Sequence, residues 1–317
     1  MTHVAIVGKG VVGDRLARRL PLVADVELVA VDTRVGLPPD LFSAAVVVLA
    51  HPSPHAELAA ALLRRGVPVV SVGDRLDDVR SLLDLDDIAA DAGVPLVVAA
   101  GMSSGLTGLL ARHLAGEMSV VDEIHVAVHG TAGPSCARQQ HRAFGRRAVG
   151  WQDGEWIRRP AGSGRELCFF PEPVGPYDCY RAEMPGPLLL HESFPTAARI
   201  SARVSANRRD RLTGWLPMLS PPHREGGVGA ARVEVRGAHA DGSRHTSILG
   251  VAELVGTSTA ATAAAFAAAA LRAELPSGVV RAGDEQLDTA GLLRTVGLLG
   301  VRLQEFTGVP SLRRVAA

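Results

Sequence analysis

Gly8-Lys9-Gly10-Val11-Val12-Gly13 places three glycines at the spacing that lets a backbone turn hold a diphosphate. The first glycine permits a tight turn, the second lets backbone approach the phosphates, and the third lets a helix pack closely on a strand. A helix opening at Val11 and Val12 adds unpaired N–H groups and the positive end of its dipole. Asp32 follows Gly8 by 24 residues, where a carboxylate accepts hydrogen bonds from an adenosine ribose and repels a 2′-phosphate. That favours NAD. Arg34 offers the opposite charge to such a phosphate, so NADP stays open. The competing interpretation of the motif is a glycine-rich turn that only connects two elements.

Three more segments follow strand ends and are expected to line the same crevice: Ala50-His51-Pro52-Ser53-Pro54, Val72-Gly73-Asp74, and the run from Gly101 to Gly105. His51 is either a proton donor near a nicotinamide ring or a hydrogen-bonded loop histidine. His55 is expected on the surface at a helix start. Two prolines separate the pair, so no metal site is expected there.

Further along, Gly130-Thr131-Ala132-Gly133-Pro134-Ser135-Cys136-Ala137-Arg138-Gln139-Gln140-His141-Arg142 gathers hydroxyl, amide, guanidinium and imidazole groups. If the chain turns helical after Pro134, Arg138 and Arg142 share a face and can grip a carboxylate, with His141 as acid or base. A solvated basic helix is the alternative. Tyr177 is either a substrate hydrogen-bonding partner or an anchor for its loop. Cys136 is expected to be a packed small residue rather than a nucleophile. Arg199, Arg203, Arg208, Arg209 and Arg211 form a cationic run expected to be a solvated face.

The elements that must position these groups come from the hydrophobic pattern. Short, nearly continuous apolar runs at 4–7, 26–31, 45–49, 67–70 and 96–98 read as strands buried on both faces. Helical spacing fills 12–20, 55–65, 76–92 and 106–114 between and after them. The fold class is therefore α/β: a Rossmann-type doubly wound parallel sheet, followed by a second α+β domain. In that second part 123–128, 231–236 and 246–253 read as strands, the last two joined across Asp241-Gly242. The expected division is a dinucleotide-binding domain over 1–122 and a substrate and dimerisation domain over 123–285. The last stretch, 286–317, is expected to complete the first domain. The apolar helix 259–272 and the late strands are expected to supply either a homodimer surface or the core of the second domain.

Composition narrows the function. With 317 residues, 47% hydrophobic and 21% charged, the chain has the profile of a two-domain globular protein. Lys+Arg and Asp+Glu balance at 33 each, so neither nucleic acid nor a membrane is an expected partner. Lys9 is the only lysine, which leaves no lysine for Schiff-base chemistry in a substrate pocket. Three cysteines without metal-type spacing fit a cytoplasmic protein.

The turn Gly8 to Gly13, the strand and loop from Val46 to Pro54, and the segment Ala92 to Val97 leading to Gly101-Met102-Ser103-Ser104-Gly105-Leu106 together resemble the saccharopine dehydrogenase-like reductases. The stretch Gly278 to Glu285 looks like that family's closing turn, whereas Ser104 stands where the family usually carries proline. The resemblance implies an NAD(P)-dependent oxidoreductase of two domains, acting on a C–N bond of a small carboxylated imine, secondary amine or opine-like amino acid, and a homodimer. An enoyl or keto reductase, an ammonia-dependent amino-acid dehydrogenase and a non-catalytic dinucleotide sensor are the alternatives.

Overall fold

The computed structural model describes residues 2–218 and 220–305. It begins with β1 (Thr2–Val7), α1 (Val11–Arg19), β2 (Val26–Val31), β3 (Val46–Leu49), α2 (Ala56–Leu63), β4 (Val69–Ser71), α3 (Leu76–Leu83), α4 (Asp86–Asp91), β5 (Pro95–Val97) and α5 (Thr107–Ala115). Valine-rich β3 is buried at every position, as a strand covered by helices on both faces must be. The strands pair in parallel in the order β2-β1-β3-β4-β5. Strand order reverses around β1, so a crevice opens beyond the carboxyl ends of β1 and β3. The expected single helix over 76–92 is instead two, broken at Asp84 and Leu85, and Asp86 at the start of the second accepts the N–H of Val279 at 2.6 Å.

The second sheet is built from β6 (Val120–His129), α6 (Pro134–Ala143), β7 (Arg147–Gln152), β8 (Glu155–Pro160), β9 (Glu166–Phe169), β10 (Pro176–Tyr180), α7 (Gly186–Ser193), β11 (Arg199–Ser205), α8 (Arg208–Thr213), β12 (Val228–Ala238) and β13 (Arg244–Leu254). The β12–β13 hairpin closes across Asp241-Gly242 as expected, with Gly242 at φ +81. Strand β6 runs parallel to β11 and antiparallel to β12. Alternate residues Ile124, Val126 and Val128 of β6 enter the main core, leaving Glu123, His125 and His129 on the opposite face.

Then the chain returns. Helix α9 (Val255–Leu271) is buried from Val255 through Ala269, so its apolar character all round reflects enclosure rather than a one-sided stripe. It packs with Val4, Ile6 and Val48 of the first sheet and with Val233 and Val251 of the second in one core. It is therefore an interior element and not a dimer surface. Strand β14 (Gly278–Val280) pairs in parallel with β5 and completes the first sheet, although 278–280 is expected in the second domain. Helix α10 (Thr289–Leu298) follows, and β15 (Leu303–Glu305) adds antiparallel to β13 of the second sheet. The rest of the expected closing stretch, 306–317, lies outside the described residues.

Candidate functional site

Each of the three glycines at the first turn meets a different constraint. Gly8 has φ +126, and a Cβ there would lie 2.7 Å from backbone atoms of Ala50 and His51. A Cβ on Gly13 would lie 1.9 Å from the carbonyl oxygen of Gly8. Both positions therefore require glycine for the fold itself. Gly10 differs: it caps α1 at φ −86, and a Cβ there would meet nothing within 4 Å. Its backbone faces open space beside the N–H groups of Val11 and Val12 at the start of α1. A glycine-capped helix start with open backbone N–H groups has the shape and polarity to accept a diphosphate.

Asp32 follows β2 at the rim. Its carboxylate accepts Arg34 Nε at 3.0 Å and Nη2 at 2.7 Å, together with the Arg34 backbone N–H at 3.0 Å. These bonds hold the Asp32 carboxyl down at about 2. The carboxylate that would take the ribose and the guanidinium that would take a 2′-phosphate are thus one exposed pair.

The crevice floor is a histidine network. His51 Nδ1 lies 2.8 Å from the Pro52 carbonyl; a carbonyl only accepts, so Nδ1 carries the proton and Nε2 is left as an acceptor. Nε2 is buried without a partner among the described residues. His51 is thus a neutral acceptor, with burial lowering its pKa, rather than a proton donor. His55, expected on the surface, is fully buried. Its Nε2 donates to the His51 carbonyl at 2.9 Å, and its Nδ1 meets Ser71 Oγ at 2.8 Å. Burial first, then the neighbouring His51, lowers its pKa to about 4. Asp78 holds the His55 N–H at 2.8 Å. A Cβ on Gly73 would lie 2.7 Å from Ser53 Oγ and 3.1 Å from the His55 ring, which is why that turn needs glycine.

Beyond β5, Gly101 begins a wide turn in which Leu106 N–H reaches back to the Gly101 carbonyl at 2.9 Å. Such i→i+5 turns collect at functional sites. This one aims Ser103 at Asp74, whose Oδ2 accepts from Ser103 Oγ at 2.5 Å. The other carboxylate oxygen accepts from Gln139 of α6. Burial raises the Asp74 pKa, against the lowering by these two donors. Asp74 therefore sits where the crevice of the first sheet meets α6 of the second part. Cys136, one turn before Gln139, has its thiol pushed up to about 12 by burial and by the Asp74 charge, so it is no nucleophile.

The chain does turn helical after Pro134, yet α6 does not bring His141, Arg138 and Arg142 into the crevice. His141 is buried with Nε2 2.9 Å from the Leu216 carbonyl, and Arg138 and Arg142 are exposed. The face of α6 that meets Asp74 is the one carrying Gln139, about 160° of helix from His141 at 3.6 residues per turn. Tyr177 lies in a separate cavity of ≈ 570 Å³ at the ends of β6 and β11, with Gln140, Arg165 and Asp178. There its ring lies against that of His129, tilted by 36° with centroids 4.1 Å apart, while His129 Nδ1 meets Ser205 Oγ at 2.8 Å. Arg165 pairs with Asp178 at 2.9 Å.

No family model and no curated protein matches the sequence. Among solved structures, apo saccharopine dehydrogenase (L-Glu forming) from Saccharomyces cerevisiae superposes with a TM-score of 0.65 over 96% of this chain and 100% of that one, at 13% identity. This chain has a saccharopine dehydrogenase-like fold. The same architecture is shared with C. glutamicum DAP dehydrogenase in complex with DAP, at TM-score 0.54, 17% identity, and coverage of 92% and 95%. An engineered D-amino acid dehydrogenase bound to NADP+ gives TM-score 0.54, 18% identity and the same coverage. At such identities the likeness is one of fold.

Asp74, with its donors Ser103 and Gln139, is a candidate that the sequence placed in the crevice by backbone alone. Its signal was an acidic residue directly after the glycine of a strand-to-helix turn. His129 lies one residue past the expected strand 123–128, on the face of Glu123 and His125, and apolar Ala127 between His125 and His129 hides the alternation. Arg165 carried no pattern that set it apart from its arginine-rich surroundings.

Proposed function

We propose that the protein is an NAD(P)-dependent oxidoreductase that acts on the C–N bond of a small carboxylated amine. The observation carrying this is Asp74, a half-buried carboxylate with raised pKa at the junction of the nucleotide cradle and α6. When bound, the nicotinamide nucleotide supplies the hydride donor or acceptor. Gly10, Val11 and Val12 hold its diphosphate, Asp32 and Arg34 its adenosine ribose, and Ala50, Pro52, Gly73 and Gly101 shape the crevice walls. His51 Nε2 accepts from a ligand N–H, since it has no protein partner among the described residues. Asp74 pairs with the substrate ammonium and holds the amine proton, while Ser103 and Gln139 fix its two oxygens. The saccharopine and amino-acid dehydrogenases of the same fold support amine over carbonyl or enoyl chemistry, and the family resemblance supports a homodimer.

The test is reduction of NAD+ and NADP+ by a panel of D- and L-amino acids and N-substituted amino acids. Amine-dependent reduction is expected, and Asp74→Asn should lower kcat by about 10²-fold or more. Turnover of enoyl or keto compounds with none of amines overturns the reading. Tight nucleotide binding with no turnover in the panel favours the sensor.

A further inference from the structure

A second charged site lies on the far face of the second sheet. Ile200, Ala202 and Val204 of β11 enter the core, so Arg199, Ser201 and Arg203 point the other way. The register places Arg199 opposite Gln152, and Ala148 opposite Arg159, on that same outer face. There Ala148, Gly150 and Ser201 floor a narrow hollow, and Arg159, Arg181 and Arg199 stand around it. None of these three guanidinium groups makes a hydrogen bond or ion pair with a described residue. Of the carboxylates on this face, Glu166 pairs with Arg203 at 2.9 Å, Glu123, opposite Arg199 in the register, bonds His125 at 2.9 Å and Arg236 at 3.2 Å, and Glu155 lies at the strand end opposite Gln152.

Three like charges gathered with no carboxylate in direct contact, Glu123 and Glu166 being bonded to other partners, repel one another unless an anion joins them. Arg181 carries that strain: burial first, then the charges of Arg203, Arg159 and Arg199, lower its pKa. The hollow holds ≈ 20 Å³ of free space, enough for one small atom group and too narrow for an organic ring. Guanidinium forks match the oxygens of a phosphate in pairs.

We propose that this hollow binds a compact phosphate-bearing anion, with one oxygen entering between Ala148, Gly150 and Ser201 and the guanidinium groups of Arg159, Arg181 and Arg199 closing on the others. The site is separate from the nucleotide crevice and does not rest on the proposed reaction.

The experiment is calorimetric titration of the full chain at low ionic strength with inorganic phosphate, with glycerol phosphate and with succinate. The start of α1 also suits phosphate, so the measured quantity is the difference between the parent and the double variant Arg159→Gln, Arg199→Gln. Affinity for phosphate or its monoester should fall about tenfold or more in the variant, and the tighter of the two names the source. The melting temperature without phosphate should stay level or rise, because like-charge repulsion is relieved; a purely structural role for these arginines would lower it. Equal phosphate affinity in parent and variant, or tighter binding of succinate than of phosphate, overturns the proposal.

Discussion

Gly10→Ala and Gly13→Ala should separate ligand from fold. At Gly10 the backbone is at φ −86 and ψ −172, open to any residue, and a Cβ meets nothing within 4 Å. Losing the glycine cap costs a few tenths of a kcal/mol to about 1 kcal/mol, and the stiffer unfolded chain returns about 0.4–1 kcal/mol. The net change is near zero, and even about 0.5 kcal/mol would move Tm by only about 1–2 °C in a chain this size. At the same time the methyl occupies the space in which backbone meets diphosphate. An affinity loss of about 1.4–2.8 kcal/mol, or ten- to a hundredfold, is expected for both nicotinamide nucleotides. Gly13→Ala is the converse. Its Cβ would fall 1.9 Å from the Gly8 carbonyl oxygen, so strand and helix must part, at about 1–3 kcal/mol and a Tm several degrees lower. Calorimetric unfolding and titration with NADH and NADPH read both quantities. Unchanged nucleotide affinity in a folded Gly10→Ala protein would refute the cradle and the reasoning built on it.

The remaining predictions concern charge. Arg34→Ala should weaken NADPH binding more than NADH binding, whereas Asp32→Asn should weaken NADH more; equal effects on both nucleotides would remove the rim pair from cofactor choice. Asp74 has a folded pKa above its ordinary 3.8, so its ionisation opposes folding: the group's contribution is intact below pH 4 and lost as pH rises through the folded value. Asp74→Asn should therefore raise Tm at neutral pH but not near pH 4, and a Tm gain independent of pH would contradict this. His55 behaves oppositely, since its pKa falls from 6.5 to about 4: its stabilisation is present above pH 6.5 and lost as pH falls toward 4. The full loss is on the order of 3 kcal/mol, and His55→Asn should flatten the acid limb of a Tm-against-pH curve relative to the parent. A histidine NMR titration with His55 changing near pH 6.5 would contradict its buried, neutral state.

How much was legible followed from what each pattern encodes. The valine runs of β1, β3 and β4 are local signals, read correctly because burial on both faces imposes a residue-by-residue pattern, and the Gly8 turn was legible as a strand-to-helix turn because a Cβ at Gly8 or Gly13 has no room. Strands β7 to β10 lack such a pattern: β8 is exposed at nearly every position, so hydrophobic periodicity had nothing to register. Strand β14 was missed, since 278–285 reads as a closing turn and a run of three residues is too short to mark a strand or say which sheet it joins. Asp74 became a site only through Ser103 and Gln139, which lie 29 and 65 residues away in sequence. His141 failed as a site for the reciprocal reason, since its partner at Leu216 is equally remote.

The late arrival of β14 also governs how the chain can be made. Until residue 280 has emerged, β5 has a neighbour only in β4 and offers its other edge to any strand that comes. Val4, Ile6, Val48, Val70 and Val97 likewise wait for α9 to cover them. A fragment ending near residue 122 would carry an open edge and a bare apolar face, and should stick to its own copies rather than stand as an independent nucleotide binder. The first sheet is begun before the second and closed only after twelve further strands and helices, from residue 120 to 271, have been made.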